Sequence, residues 1–331
     1  MRRLLPLSSV LLSSLLLGLL LTGCGATAPA AKPPSTPPTS ARPTPQAFRA
    51  VHATARFASW RLPYAIGREG VLVDGSSVIL AGGMLPGDTS TGRAIRIDLL
   101  SGRTSPLPTL GVAVHDVAAG LYDGHPAVFG GGNATEQSVV QVLVGKTWKA
   151  SSRLPTTRSD LSVVTVDGTT LVIGGYDGRN VPRAILTAGP DGRFRSVGVL
   201  RTGVRYAATA VVGSKVYLFG GEVNHQELTT VQAFDVSEGR TAVVARLPRG
   251  LGHAVAAAVG GRVLLIGGRT DPDTQTGAMW WFDPGTGRFS PAGRLPAATS
   301  DSAVIVSGRK VWLLGGESPS VTDRVIEIQV S

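Results

Sequence analysis

Val216-Tyr217-Leu218-Phe219-Gly220-Gly221, an apolar run that ends in two glycines, is the stretch that decides the fold. The same pattern occurs six times, with further copies at residues 78–83, 127–132, 171–175, 264–268 and 311–316. The glycines chosen as markers are Gly82, Gly131, Gly174, Gly220, Gly267 and Gly315, which lie 43 to 49 residues apart. A period of this length indicates a repeat architecture in which neighbouring units bury their hydrophobic faces against one another.

Other features keep phase with the glycine doublet. A second apolar strand stands before each doublet and ends in a pair of tight-turn residues, which tolerate the positive φ of a two-residue hairpin. The pairs are Asp74-Gly75, Asp123-Gly124, Asp167-Gly168, Gly213-Ser214, Gly260-Gly261 and Ser307-Gly308. After the doublet come a polar loop, a third strand and a fourth element that usually ends in Leu-Pro. Four short antiparallel strands in each of six repeats predict a β-propeller with six blades.

The pattern resembles the kelch repeat and covers residues 48–331. An aromatic residue before aspartate, typical of the family's third strand, is present as Phe234-Asp235 and Phe282-Asp283. The resemblance implies an all-β fold, a six-bladed kelch-type β-propeller. The chain stops after a third strand, whereas residues 57–63 look like a fourth strand without the three before it. We therefore expect the last blade to be closed by the N-terminal strand, which would remove two free sheet edges.

Residues 1–23 predict a lipoprotein signal peptide. Two arginines follow Met1, residues 4–21 are mostly apolar, and Leu21-Thr22-Gly23-Cys24 resembles the lipobox of bacterial lipoproteins. The resemblance implies that acyl chains on Cys24 anchor the protein to the bacterial cell membrane, with the rest of the chain extracytoplasmic. The alternative is an uncleaved transmembrane helix. Cys24 is the only cysteine, so the chain cannot form an intramolecular disulfide.

Residues 24–47 are rich in proline, alanine, serine and threonine and predict a semi-rigid linker. A proline-rich ligand for a partner protein is the alternative for this segment. The formal net charge is +10, but the basic residues are spread along the chain as isolated arginines. Because nucleic-acid binding needs a clustered basic surface, we do not expect a nucleic-acid partner.

Charged side chains recur where each predicted first strand begins. The first strands of a propeller line its central channel, so these residues predict a ring of mixed charge at the channel mouth. The candidate binding residues are Arg68, His115, Asp116, Arg158, Asp160, Arg205, His253 and Asp301. Mixed charge suits polyhydroxy or zwitterionic ligands better than phosphates. The alternative is that these groups are merely solvated or cap contacts between blades.

No catalytic motif stands out. The five histidines lack metal-ligand spacing, and Asp271-Pro272-Asp273 lacks the glycine and glutamate of an EF-hand. Copper-radical oxidases with kelch folds need a cysteine, which residues 48–331 lack. We therefore expect no metal, no cofactor and a non-enzymatic binding or scaffold protein that recognises a protein or glycan through its loops. The alternative is a sugar-acting enzyme resembling kelch mutarotases, with an acid/base pair among Asp116, Asp160, Arg205 and His253.

Overall fold

The computed structural model describes residues 52–331, and the regular structure of these residues consists of thirty β-strands without a helix. Twenty-four strands form six four-stranded antiparallel sheets, and the other six form three small hairpins. The innermost strands of the six sheets contact one another in a closed circle. The predicted all-β fold, a six-bladed propeller, is therefore confirmed.

The strands follow the repeat closely. β1 (Ala53–Ile66) precedes blade 1, which comprises β2 (Gly70–Asp74), β3 (Ser77–Ala81), the small hairpin of β4 (Met84–Leu85) and β5 (Thr89–Ser90), β6 (Ala94–Ile97) and β7 (Thr104–Leu107). Blade 2 comprises β8 (Ala118–Tyr122), β9 (His125–Phe129), β10 (Val139–Val144) and β11 (Thr147–Arg153). Blade 3 comprises β12 (Ser159–Val166), β13 (Thr169–Tyr176), β14 (Ala184–Ala188) and β15 (Phe194–Val199).

The second half repeats this order. Blade 4 comprises β16 (Ala208–Val212), β17 (Lys215–Phe219), the hairpin of β18 (Glu222–Val223) and β19 (Gln226–Glu227), β20 (Thr230–Asp235) and β21 (Arg240–Arg246). Blade 5 comprises β22 (Val255–Val259), β23 (Arg262–Ile266), the hairpin of β24 (Arg269–Asp271) and β25 (Thr274–Gln275), β26 (Ala278–Asp283) and β27 (Arg288–Arg294). Blade 6 comprises β28 (Ala303–Ser307), β29 (Lys310–Leu314), β30 (Thr322–Val330) and, as its outermost strand, β1.

The N-terminal strand closes the last blade, as predicted. β1 pairs antiparallel with β30, with Ala53 opposite Val330 and Phe57 opposite Ile326. Since β30 lies at the end of the chain, this pairing joins the two ends of the propeller and leaves neither strand without a partner.

The first hairpin of each blade turns in one of two ways. In blades 2, 3 and 5 both central residues have positive φ, for example 49° at Asp123 and 73° at Gly124, which is typical of a type I′ turn. In blades 1, 4 and 6 only the first central residue, a glycine, has positive φ, which is typical of type II′. The turns in blades 1 and 6 are therefore 75–76 and 308–309, one residue later than the predicted pairs 74–75 and 307–308.

The glycine doublets join each blade to the next. The second glycine donates its N–H to a carbonyl at the start of the following repeat, as Gly221 does to Leu251 at 2.9 Å. The first glycine lies so close to that carbonyl that a Cβ on Gly220 would be 2.0 Å from the Leu251 oxygen. All six junctions share this bond, including Gly316 to Ile66. In blade 2 the doublet with this geometry is 130–131, one residue before the position assumed for the marker.

The hydrophobic core is divided among the junctions. Six apolar clusters are present, and each combines side chains from two adjacent blades. Phe129, Phe219, Phe234 and Phe282 are the largest fully buried side chains. Full burial of a side chain of this size contributes about 1.5–3 kcal/mol. The blades are thus held together by their faces, and the charged side chains of the channel mouth lie outside these clusters.

The predicted signal peptide (1–23), the lipidated Cys24 and the linker (24–47) lie outside the described residues. Within residues 52–331 no helix is long and apolar enough to cross a membrane.

Candidate functional site

Six residues with left-handed backbone surround one end of the channel, one at the start of each inner strand. They are Arg68 (φ 59°), Asp116 (50°), Asp160 (56°), Tyr206 (54°), His253 (56°) and Asp301 (56°), and we call them the mouth ring. A side chain in this conformation costs about 1–2 kcal/mol, so it persists only where surrounding structure enforces it.

Backbone hydrogen bonds between neighbouring blades provide that enforcement. The N–H of a ring residue donates to the carbonyl of the ring residue in the preceding blade, as from Asp160 to Asp116 at 2.9 Å and from His253 to Tyr206 at 3.0 Å. Five of the six junctions carry such a bond, including the one from Arg68 back to Asp301 at 2.9 Å. The strained conformation thus turns five of the six N–H groups towards the adjacent blade and fixes the positions of the ring side chains.

Seven of the eight predicted site residues reach this region. Arg68, Asp116, Asp160, His253 and Asp301 are ring members. His115 and Arg205 each stand one residue before a ring member, but both side chains contact the ring. The His115 Nε2 lies 3.4 Å from Asp116, and the Arg205 Nη1 lies 3.6 Å from Asp160.

Arg158 is a correction to the prediction, because the structure places it away from the ring. Its guanidinium is buried and donates to the backbone carbonyls of Gly174 at 3.0 Å and Ala184 at 3.1 Å. Ile66 and Val204, which occupy the same position in other blades, are fully buried apolar residues. Burial lowers the pKa of Arg158 to about 10. This arginine supports the wall of blade 3 and contributes no side chain to the mouth.

Four further side chains at the mouth are not among the eight predicted binding residues. Tyr206 is the ring member of blade 4 and stacks on His253 with 3.8 Å between ring centroids. Glu222, Arg269 and Glu317 each directly follow a glycine doublet, and this shared position is the signal that would have found them. Their N–H and C=O groups pair with the residue just before the ring, which carries their side chains towards the channel axis.

Three arginines each bridge a ring aspartate and a glutamate that follows a doublet. Arg68 contacts Asp116 at 3.3 Å and Glu317 at 2.8 Å. In the same way Arg205 joins Asp160 to Glu222, at 3.6 and 2.6 Å. The third arginine, Arg269, shares Glu317 with Arg68.

Arg269 contacts Asp301 at 3.1 Å and also pairs with Glu317. His253 extends the chain of contacts, since its Nδ1 lies 2.7 Å from Asp301 and its Nε2 lies 3.4 Å from Glu222. Burial opposes a charged imidazole here, but the Asp301 carboxylate and the hydrogen bonds to Asp301 and Glu222 outweigh it and raise the pKa of His253 to about 9. At neutral pH His253 is therefore an imidazolium that donates from both nitrogens.

These contacts form one continuous arc of alternating charge. In order, the arc runs through Asp116, Arg68, Glu317, Arg269, Asp301, His253, Glu222, Arg205 and Asp160. Hydrogen bonding from His253 is the main cause that lowers the pKa of Glu222 to about 2. Burial would raise the pKa of Asp301, but His253, Arg68 and Arg269 outweigh it and lower that pKa to about 2. Glu222 and Asp301 are therefore ionised and paired.

Asp116 and Asp160 form the two ends of the arc, and among residues 52–331 no single cation pairs with both of them. Asp116 and Asp160 are neighbours in the ring, and their side chains are 8% and 3% exposed. Burial and, after it, repulsion by the Asp116 carboxylate raise the pKa of Asp160 to about 7. Burial also raises the pKa of Asp116, against the attraction of Arg68 and His115. We call this pair the acidic gap, because both of its carboxyls have a raised pKa.

A cavity of about 110 Å³ lies inside the ring. It is lined by all six ring residues and by side chains at the starts of the inner strands, among them Glu69. Both carboxyl oxygens of Glu69 are buried without a hydrogen-bond partner among the described residues, and burial raises the pKa of Glu69 to about 8. The cavity is smaller than the 300–1,000 Å³ of typical ligand pockets. It therefore admits a small group, while the bulk of any ligand stays above the ring.

Within residues 52–331 no group of three or more His, Cys, Asp or Glu side chains is arranged to hold a metal ion. The opposite charges around the ring are instead satisfied by one another. The arrangement can exchange hydrogen bonds with a polar ligand, and at the acidic gap it can exchange a proton.

Comparison with known proteins supports the fold. Two stretches match the kelch motif, residues 204–240 in blade 4 and residues 250–296 in blade 5. No curated protein matches the chain. The solved structure of YjhT is similar over 82% of this chain and 99% of that one, with a TM-score of 0.72 and 15% sequence identity. At this identity the likeness concerns the six-bladed fold alone, since one fold serves many functions.

Proposed function

We propose that this protein is a membrane-anchored, extracytoplasmic binding protein that recognises a glycan or a protein through the loops around its channel mouth. The observation that carries the proposal is the arc of alternating charge that ends at the acidic gap. Its nine titratable side chains, five of them on the strained backbone of the mouth ring, are not needed for the core, which lies between the blades. Side chains fixed in advance lose little freedom when a ligand binds, and this favours affinity.

The chemistry of the mouth favours a polyhydroxy ligand. Hydroxyl groups both donate and accept hydrogen bonds, so they can face guanidinium and carboxylate groups in turn. Asp116 and Asp160 offer carboxyl oxygens where the arc is interrupted, and Arg205 lies beside them with its guanidinium over the ring of Tyr176 at 5.1 Å. The carboxylates would repel an anion and the arginines would repel a cation, so a neutral ligand such as a glycan fits best.

The membrane anchor in this proposal rests on the sequence, in which an apolar segment precedes the lipobox-like Leu21-Thr22-Gly23-Cys24.

A sugar-acting enzyme of the mutarotase or epimerase type is the second candidate, and the pKa values at the mouth favour it. Asp160, with a pKa of about 7, lies in the same ring as Asp301, with a pKa of about 2. Carboxyls whose pKa values are driven apart are typical of general acid and base pairs. Asp160 would transfer the proton and Arg205 would position the sugar.

A thermal-shift screen with sugars and cell-wall fragments tests both candidates on the detergent-solubilised full chain. A ligand at a hundred times its Kd adds about 2.7 kcal/mol, which raises the Tm by about two degrees or more. We expect this shift to disappear in Arg205→Gln and to persist in the control Arg288→Gln, whose side chain lies at the start of β27. A screen in which no compound shifts the Tm, or in which both variants behave alike, contradicts binding at the mouth.

Turnover separates the two candidates. The exchange between sugar anomers is followed by NMR with the wild type and with Asp160→Asn. An enzyme accelerates the exchange and loses this acceleration in the variant, whereas a binding protein shows the thermal shift with no acceleration.

A further inference from the structure

A second concave surface lies between the outer strands of blades 3 and 4. This groove has a volume of about 550 Å³ and contains no residue of the mouth ring. The side chains that the following argument uses are Arg183, Val199, Arg201, Lys215, Arg240 and Val244, and we call the surface they line the flank groove.

Two of the arginines are each held by one hydrogen bond from Nε, which leaves their terminal nitrogens available to a ligand. The Nε of Arg183 donates to the Leu200 carbonyl at 2.7 Å, and the Nε of Arg201 donates to the Thr241 carbonyl at 2.8 Å. Within residues 52–331 no hydrogen bond or ion pair engages the terminal nitrogens of either guanidinium. A guanidinium held by its Nε presents both terminal N–H groups in a fixed plane, which is the geometry that binds a carboxylate through two parallel bonds.

The groove has an excess of positive charge. Its lining contains four cationic side chains and two carboxylates, those of Asp235 and Glu238. Asp235 already lies 3.7 Å from the ammonium of Lys215. The lining therefore offers three arginines against the single carboxylate of Glu238, so the complementary ligand is acidic.

Apolar side chains are exposed in the same place. Val199 and Val244 line the groove and are 51% and 42% exposed, and beside them Val197 and Val243 are 40% and 47% exposed. These valines belong to β15 and β21, each of which is the last strand of its sheet and has one unpaired edge. Exposed apolar residues gathered at one site mark an interaction surface, and a free strand edge accepts an extended chain.

We propose that the flank groove binds an extended segment of a partner protein in which acidic and apolar side chains alternate. The acidic side chains pair with Arg183 and Arg201, and the apolar ones cover the exposed valines. A flat bilayer does not fit a concave groove, and a polyphosphate has no groups for the valines. The partner would therefore be held on the side of the propeller, away from the ligand at the mouth.

The test uses a fluorescently labelled peptide of alternating glutamate and valine and measures its anisotropy with the detergent-solubilised full chain. We expect saturable binding that weakens as salt is added. The double variant Arg183→Gln, Arg201→Gln should weaken binding at least tenfold, and Val199→Ser with Val244→Ser at least threefold. The control double variant Arg103→Gln, Arg288→Gln should stay within twofold of the wild type. An unchanged Tm confirms that each variant is folded.

Three results would overturn the proposal. The first is no binding of the peptide at low salt, and the second is equal binding of a glutamate–serine peptide. The third is binding of phosphatidylglycerol vesicles or polyphosphate that depends on the same arginines while the peptide does not bind. Asp160→Asn should leave the peptide affinity unchanged, so the outcome is independent of what the mouth binds.

Discussion

The glycine doublets and the mouth ring are two places where the blades repeat one backbone conformation, but only the doublets repeat the residue. The first glycine of each doublet has φ between 58° and 70°, and the ring residues have φ between 50° and 59°. At the doublet a neighbouring carbonyl occupies the space of a Cβ, whereas at the ring each side chain has the channel before it. A position whose surroundings leave no space for a side chain must be glycine in every blade. A position whose surroundings leave that space can hold a different residue in each blade.

The largest expected effect tests whether the doublet needs glycine for space or only for conformation. Gly220→Ala places a Cβ 2.0 Å from the Leu251 carbonyl, while Gly75→Ala has the same sign of φ but no atom within 4 Å. We expect Gly220→Ala to reduce the free energy of unfolding by about 3 kcal/mol or more, and Gly75→Ala by about 1 kcal/mol. Urea titrations of both variants measure the difference, and equal losses would mean that conformation alone fixes the doublet.

A somewhat smaller effect concerns the paired arc. Arg269→Met leaves the buried carboxylates of Asp301 and Glu317 short of a partner. Removing one member of a buried pair costs about 3 kcal/mol. We expect a loss of about that size from urea denaturation at pH 7, and almost none for the control Arg288→Met. A loss below 1 kcal/mol would show that the ion pairs of the arc contribute as little to stability as exposed ion pairs do.

The acidic gap should respond to pH in the opposite way to Glu222 and Asp301, the arc carboxylates whose pKa is lowered. The folded pKa of Asp160, about 7, lies above its ordinary value of 3.8, so the stability it contributes is complete below pH 3.8 and is lost as pH rises through 7. Asparagine cannot ionise. We therefore expect Asp160→Asn to gain about 2 kcal/mol relative to the wild type between pH 5 and pH 8, as measured by urea denaturation at both values. A gain towards low pH instead would contradict the raised pKa.

His253 gives the arc its own pH dependence. Its folded pKa of about 9 lies above the ordinary 6.5, so the stability from its two ion pairs is present below pH 6.5 and is lost as pH rises through 9. The Tm of the wild type should fall over this window, and that of His253→Gln should change less. Parallel slopes for the two proteins would exclude an imidazolium at this position.

The smallest effect concerns Arg158, the charged residue that lies outside the ring. It occupies a position where other blades have buried apolar residues such as Ile66 and Val204. We expect Arg158→Leu to change the free energy of unfolding by less than about 1 kcal/mol, because removal of a buried charge offsets the two lost hydrogen bonds. Calorimetry checks this, and a loss above 3 kcal/mol would mean that the arginine is needed for the wall of blade 3.

The sequence was sufficient to predict the fold because the repeated residues, glycine doublets and tight-turn pairs, are those that particular backbone conformations require. Doublets, turn residues and the incomplete first and last repeats predicted six blades and their closure. The mouth was predicted only in part. Arg158 and Asp160 are two residues apart, so the alternation of a strand predicts that both side chains lie on the same face. The left-handed backbone at Asp160 breaks this alternation, and the two side chains therefore lie in different surroundings. Glu317 pairs with Arg68 and Arg269 of other blades, and Glu222 contacts His253 of the next blade, so their shared position after a doublet is the only signal in the sequence.

The pairing of β1 with β30 also orders events in time. Arg56 and Glu327, which form an ion pair across the two strands at 3.0 Å, are 271 residues apart in the sequence. At about 5–20 residues per second, β1 is made on the order of tens of seconds before its partner exists. During that interval a strand that carries Phe57 and Trp60 has no partner, and an unpaired apolar edge favours aggregation. Closure of the propeller is therefore the last step that the order of synthesis allows, because β1 stays unpaired until β30 has been made.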